Sequence, residues 1–364
     1  MWVKKMYNGF SKKELLQLMI SKPYFAQIEL TRNCNFACKF CFENCNNKKK
    51  YIDNSFEKWK TVIDKLYLIG IKYLHFSGGE NFLYKDFVKV LKYSKNMGFN
   101  ILVNTNGSFN VTEISKYVDD FVFSVHGLNA VHDLIVGIKG AFKLVEKNIE
   151  KAYKLDKNII INTVLIKENF NDFEEIFLYF KNKYPNIKYA PTFAIPCKTG
   201  TKFDKSIILI NKDIINKFNN ILNKLGEENV IYKHGFYGLQ ESKRNDSDFN
   251  LPVCAAGKSK LIIKYNGNVY PCNFFQTDKY LCGNIFIDDI YNIWKNGTGF
   301  NIFRKLLLDE NIPIKCKECK KKINCFSGCK TWTKSYMNND ENIKCEGDER
   351  CEIMDAFIRN RNNN

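Results

Sequence analysis

The chain has 364 residues, of which 45% are hydrophobic, and a formal charge of +17. That length suits a domain of roughly 200 residues with a smaller companion; no apolar run is long enough to span a membrane, and the first residues lack the features of a secretory signal. The lysines are scattered, with one dense run at Lys48–Lys50, so the charge reads as a compositional bias and nucleic-acid binding is not the expected role.

In chain order, Lys12–Ile20 has the spacing of a short amphipathic helix, within an N-terminal segment 1–24. From Phe25 the pattern alternates. Strands are predicted at Ala26–Leu30, Tyr73–Ser77, Asn100–Asn104, Phe121–Val125, Ile159–Val164 and Ile187–Ala194. Helical spacing fills Phe56–Ile69, Phe87–Met97, Phe142–Leu155 and Phe173–Tyr184 between them. Strands alternating with helices imply parallel pairing and right-handed crossovers. Six such units are too few for a closed eight-fold barrel. The predicted fold class is α/β, an open (β/α)6 partial barrel over 25–200, followed by a small cysteine-rich domain. Pro196, Thr199, Gly200 and Asp204 open a connection, 201–253, that holds a helix at Asn211–Leu225 and a polar loop at Lys243–Pro252. From Cys254 to about residue 355 periodicity falls and cysteine density rises. Metal ligands can hold a domain of that kind together. Asn266-Gly267 reads as a hairpin turn, and 356–364 as a disordered tail.

The fourteen cysteines are unevenly placed: four lie in 34–45, Cys197 stands alone, and nine fall between 254 and 351. A secreted disulfide scaffold is short and carries a signal. A long chain with clustered pairs reads as a metal-binding protein of a reducing compartment, expected to be cytoplasmic. Cys34, Cys38 and Cys41 form C-x3-C-x2-C directly after the first strand. Three thiolates on one tight loop can hold three irons of a 4Fe–4S cube and leave the fourth iron open, unlike the four-thiolate ferredoxin sites. A zinc loop is the competing reading, with Cys45 as fourth ligand; otherwise Cys45 is a bystander.

This loop and its surroundings resemble the radical S-adenosylmethionine (SAM) superfamily over roughly residues 25–200. The resemblance implies a cluster on Cys34, Cys38 and Cys41, with SAM on the open iron and Phe40 near its adenine. Ser77-Gly78-Gly79-Glu80 ends the second strand and looks like the family's Gly-Gly-Glu motif, which contacts the methionine amino group. Gly78 and Gly79 let backbone approach a ligand, and the Glu80 carboxylate can accept from an ammonium group. Asn104 and Ser124, at the ends of the third and fourth strands, are candidates for further cofactor contacts, ordinary turn capping being the alternative. Asn162-Thr163 occupies another family-like polar position. Val136-Gly137 stands where many relatives carry Arg-Gly, which leaves that carboxylate contact open; Lys139 is the nearby substitute.

The later cysteines run Cys254-x12-Gly267-x4-Cys272, then Cys316-x2-Cys319-x5-Cys325-x3-Cys329, with Cys345 and Cys351 beyond. A zinc ribbon needs only four such residues. The pattern resembles the SPASM domain, an auxiliary-cluster extension of peptide-modifying radical enzymes, and Leu281–Ile285 and Trp294 look like the same text. By resemblance, Cys254, Cys272 and Cys329 bind one auxiliary iron–sulfur cluster. Cys316, Cys319 and Cys325 bind a second, closed by Cys351 or Cys345. Cys282 either completes the first or is a buried thiol, and Cys197 reads as structural.

The implied function is that of a radical SAM oxidoreductase and peptide maturase. It would use a 5′-deoxyadenosyl radical on a ribosomally made precursor peptide or a protein side chain, with a thioether or carbon–carbon cross-link expected. Formylglycine formation in a sulfatase and peptide epimerisation are the alternatives. A flavodoxin or ferredoxin is the expected electron donor, and no membrane partner is expected. The alternative of another class is a zinc protein that binds nucleic acid. The sequence singles out no acid–base residue.

Overall fold

The computed structural model describes residues 22–45, 50–195, 211–231, 254–306, 313–317 and 328–332. The segment predicted as an N-terminal helix, Lys243–Pro252 and the tail lie outside these residues, as do Cys197, Cys319, Cys325, Cys345 and Cys351.

Six parallel strands carry the barrel: β1 (Phe25–Glu29), β2 (Tyr73–Ser77), β3 (Asn100–Thr105), β4 (Asp120–Ser124), β5 (Asn158–Leu165) and β6 (Lys188–Phe193). Each neighbour pair is parallel and consecutive. Between them run α1 (Phe56–Leu68), α2 (Phe87–Asn96), α3 (Ala130–Val136), α4 (Ala141–Lys154) and α5 (Phe173–Lys183). The alternation in the strands sorts the faces. In β3, Ile101 and Val103 are fully buried while Leu102 and Asn104 are half-buried on the opposite face. The first face packs on the helices, which present residues three or four apart: Trp59, Val62, Ile63 and Leu66 from α1 and Phe142, Val145, Ile149 and Ala152 from α4. The second face lines the interior, where His75 Nε2 and Asn104 Oδ1 lie 2.9 Å apart.

The predicted strands and barrel helices stand within a residue or two of their expected bounds. The helix predicted at Asn211–Leu225 is α6 (Lys212–Leu225), and the Asn211 side chain caps it by accepting from Ile214 N at 2.9 Å. Helix α3 has no counterpart in the sequence reading. It is seven residues long and lacks a side-chain N-cap bond, so it leaves little periodic signal.

The cysteine-rich region is joined to the barrel by main chain. Strand β7 (Lys260–Ile263) pairs in parallel with β1, Phe25 opposite Lys260 and Ile28 opposite Ile263. Strands β8 (Asn268–Tyr270) and β9 (Gly283–Asn284) follow antiparallel, giving the order β6-β5-β4-β3-β2-β1-β7-β8-β9. The predicted hairpin turn is present: Lys264 N donates to Asn268 O, and Gly267, at φ +85°, makes the left-handed step. Any larger residue there would also strike the Phe286 ring, whose Cδ2 would lie 2.3 Å from an added Cβ. Helices α7 (Ile290–Asn296) and α8 (Thr298–Lys305) add Ile293, Trp294, Phe300 and Phe303 to the same core as the barrel. A short α9 (Ile314–Lys317) carries Cys316.

Candidate functional site

The loop after β1 is fixed from three sides. Thr31 O accepts from Gly79 N at 3.0 Å and Asn33 O from Glu80 N at 2.8 Å, joining it to the turn after β2. Asn35 donates to Ser108 Oγ at 2.9 Å and accepts from Asn106 Nδ2 at 2.8 Å, joining it to the turn after β3. Ala37 N and Lys39 N donate to Val136 O and Ile135 O at the end of α3. The approach of the Gly78-Gly79 turn is as close as backbone allows: a Cβ on Gly79 would lie 2.1 Å from Asn33 O.

Cys34, Cys38 and Cys41 project from this loop as half-buried free thiols. Cys38 feels the charges of both others. Burial pushes Cys34 up to about 12 and Cys38 well above its ordinary value. Cys41 is held lower, first by a hydrogen bond from the buried Cys45, whose own thiol is raised as the donor. A metal therefore displaces protons when it loads. Three soft sulfur ligands on one braced loop fit an iron–sulfur cube with an open iron.

Around the loop the other predicted residues fall as follows. Phe40 packs edge-on against His126, centroids 4.5 Å apart, beside Ile135, Ile166 and Ala194. Ser124 ends β4 half-buried and pairs in register with Asn162. Asn104 faces His75, and its carbonyl accepts from Asn81 Nδ2. Glu80 is 1% exposed, and its carboxylate accepts from Asn106 N at 2.8 Å, the Thr105 hydroxyl at 3.1 Å and Phe82 N at 3.4 Å. These bonds tie it to the strand ends. Burial pushes its carboxyl up to about 7. Val136 is buried against Phe36 and Ala141, and Lys139 is exposed.

Of the auxiliary cysteines, Cys254, Cys272 and Cys329 come together: burial and then the charges of Cys329 and Cys254 raise the Cys272 thiol. Lys258 and Lys260 lie within electrostatic reach of this group. Cys282 is packed elsewhere, its sulfur accepting from Phe300 N and Gly299 N, with burial pushing it up to about 12. Cys316 is half-buried on α9.

Sequence reasoning missed three features. His132 Nδ1 accepts from His126 N, and His126 Nδ1 from Val164 N, tying the end of β4 to α3 and β5. Burial holds His126 well below its ordinary value and His132 down at about 4, so both are neutral struts. Asp133 accepts from Phe142 N at 2.9 Å and from Gly140 N, fixing α4 to α3. Lys264 lies buried between Glu29 and Glu43. The adjacency of Asp133 to a glycine-bounded helix start was a usable signal; the partners of Lys264 were not readable from the chain.

The radical SAM superfamily model matches residues 28–180, and the SPASM model, an iron–sulfur cluster-binding domain, matches 254–320. An AdoMet-dependent heme synthase from Methanosarcina barkeri is 26% identical, covering 86% of this chain and 92% of its own. A cysteine-type anaerobic sulfatase-maturating enzyme from Clostridium novyi is also 26% identical, covering 86% and 90%. Streptococcus suis SuiB, solved bound to its precursor peptide SuiA, superposes with a TM-score of 0.73 at 18% identity, covering 93% of this chain and 78% of that one. These two domains imply 4Fe–4S clusters and SAM binding. No helix among the described residues is long and apolar enough to cross a membrane. The chain belongs to the radical SAM superfamily and is an enzyme of its SPASM-bearing branch.

Proposed function

We propose that this enzyme modifies a ribosomally made peptide or a protein side chain by hydrogen-atom abstraction, a thioether or carbon–carbon cross-link being the favoured product. The observation that carries the reading is the braced Cys34, Cys38 and Cys41 loop after β1 together with the separate Cys254, Cys272 and Cys329 group, whose hairpin β7 joins to β1. When bound, a reduced 4Fe–4S cluster and SAM supply the 5′-deoxyadenosyl radical, and two auxiliary clusters complete the set. Cys34, Cys38 and Cys41 hold the first cluster. The Gly78-Gly79 backbone lies against the loop, and Ser124, Asn162 and Asn104 offer polar contacts along the strand ends. Phe40, backed by His126, forms an apolar wall that suits an adenine. Glu80 accepts from the SAM amino group and also holds the turns after β2 and β3 together. Of the auxiliary ligands, Cys316, Cys319 and Cys325, with Cys351 or Cys345, hold the remaining cluster. The barrel spans 25–200 and the auxiliary domain 254–355; a flavodoxin or ferredoxin in the cytoplasm supplies the electron.

The sulfatase-maturating relative supports formylglycine formation as the second reading, and the heme synthase relative makes a porphyrin the control substrate. Anaerobically reconstituted protein should hold about three clusters and form 5′-deoxyadenosine from SAM. Changing Cys34, Cys38 and Cys41 together to Ala should abolish that product; persistence would sink the reading. A cysteine-bearing sulfatase peptide, a cross-linkable precursor peptide and an iron porphyrin, compared by mass spectrometry, separate the substrates.

A further inference from the structure

A buried ionic knot lies between the N-terminal cysteine loop and the hairpin that leads to Cys272. Lys264 Nζ pairs with Glu43 Oε1 at 2.6 Å and with Glu29 Oε2. The three residues are 5%, 4% and 3% exposed, in the order Lys264, Glu43, Glu29. Gln276 Nε2 donates to the same Glu43 oxygen at 2.8 Å and to Asn273 O. Asn273 in turn donates to Gln27 Oε1 on β1 at 2.9 Å. The Phe42 and Phe274 rings meet at 5.2 Å, and Arg32 donates to the Glu43 carbonyl.

The placement matters. Phe42 and Glu43 directly follow Cys41, and Asn273 and Phe274 directly follow Cys272. The Phe42–Phe274 contact is therefore one or two residues from a cysteine of each set, and the Glu43–Gln276 bond two residues from Cys41 and four from Cys272. A buried ion triad is a poor source of stability, because desolvation consumes most of the Coulombic gain. What it does supply is geometry: Lys264 satisfies both carboxylates only when β1, the cysteine loop and the hairpin are all in register.

We propose that Lys264 is a positioning residue that fixes the separation and orientation of the Cys34–Cys41 site relative to the Cys254–Cys272–Cys329 site, with Gln276 as its second fastener. The proposal rests on the reading that both sites hold clusters.

The test uses the full chain with Lys264→Met, Lys264→Arg and Gln276→Leu. In cluster-free protein, hydrogen exchange is followed at 41–45 and 273–276. In reconstituted protein, the magnetic coupling between the two reduced clusters is measured by pulsed electron paramagnetic resonance, beside kcat and the SAM Kd. Lys264→Met should speed exchange at least tenfold in both loops together, broaden the inter-cluster distance distribution and lower kcat with the SAM Kd unchanged. Lys264→Arg should restore part of each. A folded Lys264→Met protein with unchanged coupling and exchange overturns the proposal. Should Lys264→Met fail to fold, Gln276→Leu, which leaves the ion triad intact, must loosen the same two loops, and unchanged loops there overturn it. If wild-type protein shows no second cluster signal, the cluster reading fails, and the exchange data on cluster-free protein still decide the positioning role.

Discussion

Replacing Glu80 with Gln tests how the turns after β2 and β3 are held together. The Glu80 carboxyl is buried, and desolvation raises it from 4.5 to about 7 despite three donors that favour the charged form. Folding therefore favours the protonated acid. A group raised in this way stabilises the fold fully below its unfolded value and loses that contribution as pH climbs through its folded value. With limits of 4.5 and about 7, the loss between pH 5 and pH 7 works out at about 2 kcal/mol by linkage. Gln cannot titrate. Its oxygen can serve Asn106 N, and its amide can donate to the Thr105 hydroxyl, which already accepts from Gly107 N at 3.0 Å. The longer Phe82 contact is lost, at a cost of about 1 kcal/mol.

The variant should thus be slightly less stable than wild type at pH 5 and should gain on it by about 2 kcal/mol by pH 7. Urea unfolding of metal-free protein under anaerobic conditions, followed by near-ultraviolet circular dichroism at pH 5, 6 and 7, measures the difference. Glu29, also raised to about 7 by burial, is present in both proteins and cancels. A stability difference that stays flat with pH, or that moves in wild type's favour as pH rises, would refute the reasoning.

Gly79→Ala should push the β2 turn off the cysteine loop, because the new methyl would lie 2.1 Å from Asn33 O; iron content after reconstitution should fall even where the circular dichroism is native. Asp133→Ala frees the Phe142 and Gly140 amides and should cost about 1 kcal/mol in urea unfolding, as loss of a helix cap does. Cys282→Ala should cost about 1–2 kcal/mol for its two stranded amide donors and leave the iron content at the wild-type level. Loss of one cluster's worth of iron would instead place Cys282 among the ligands.

Much of the fold was legible because its signals are local. Tyr73–Ser77 alternates, and Phe56–Leu68 repeats its apolar residues every three or four positions behind a Ser55 cap. The cysteine loop and the Gly-Gly-Glu turn were legible for the same reason, as short runs with fixed spacing. The rest depends on partners distant in sequence. Nothing in Lys260–Ile263 announces a parallel ladder with β1. That Glu80 also ties two turns together shows only when Thr105 and Asn106 arrive beside it. Lys264 is one lysine among many until the hairpin buries it.

The parallel pairing of β7 with β1 explains how the auxiliary hairpin reaches the Cys34–Cys41 loop. In a parallel ladder the carboxyl ends of neighbouring strands lie on one edge. Strand β1 runs from that edge into the Cys34–Cys41 loop, β2 into Gly78-Gly79-Glu80, and β7 into Lys264 and the hairpin turn. Ile28 is opposite Ile263, so the next residue on each strand, Glu29 and Lys264, is delivered to the same spot and forms the ion pair. The antiparallel β8 then turns the chain back, Tyr270 opposite Ile262, so Cys272 lies toward the start of β7 beside Lys260, and Asn273 and Gln276 reach back to Gln27 and Glu43. The auxiliary region is thus placed by main-chain register, and the side-chain contacts at Glu43 and Gln276 then set the finer distance between the loops.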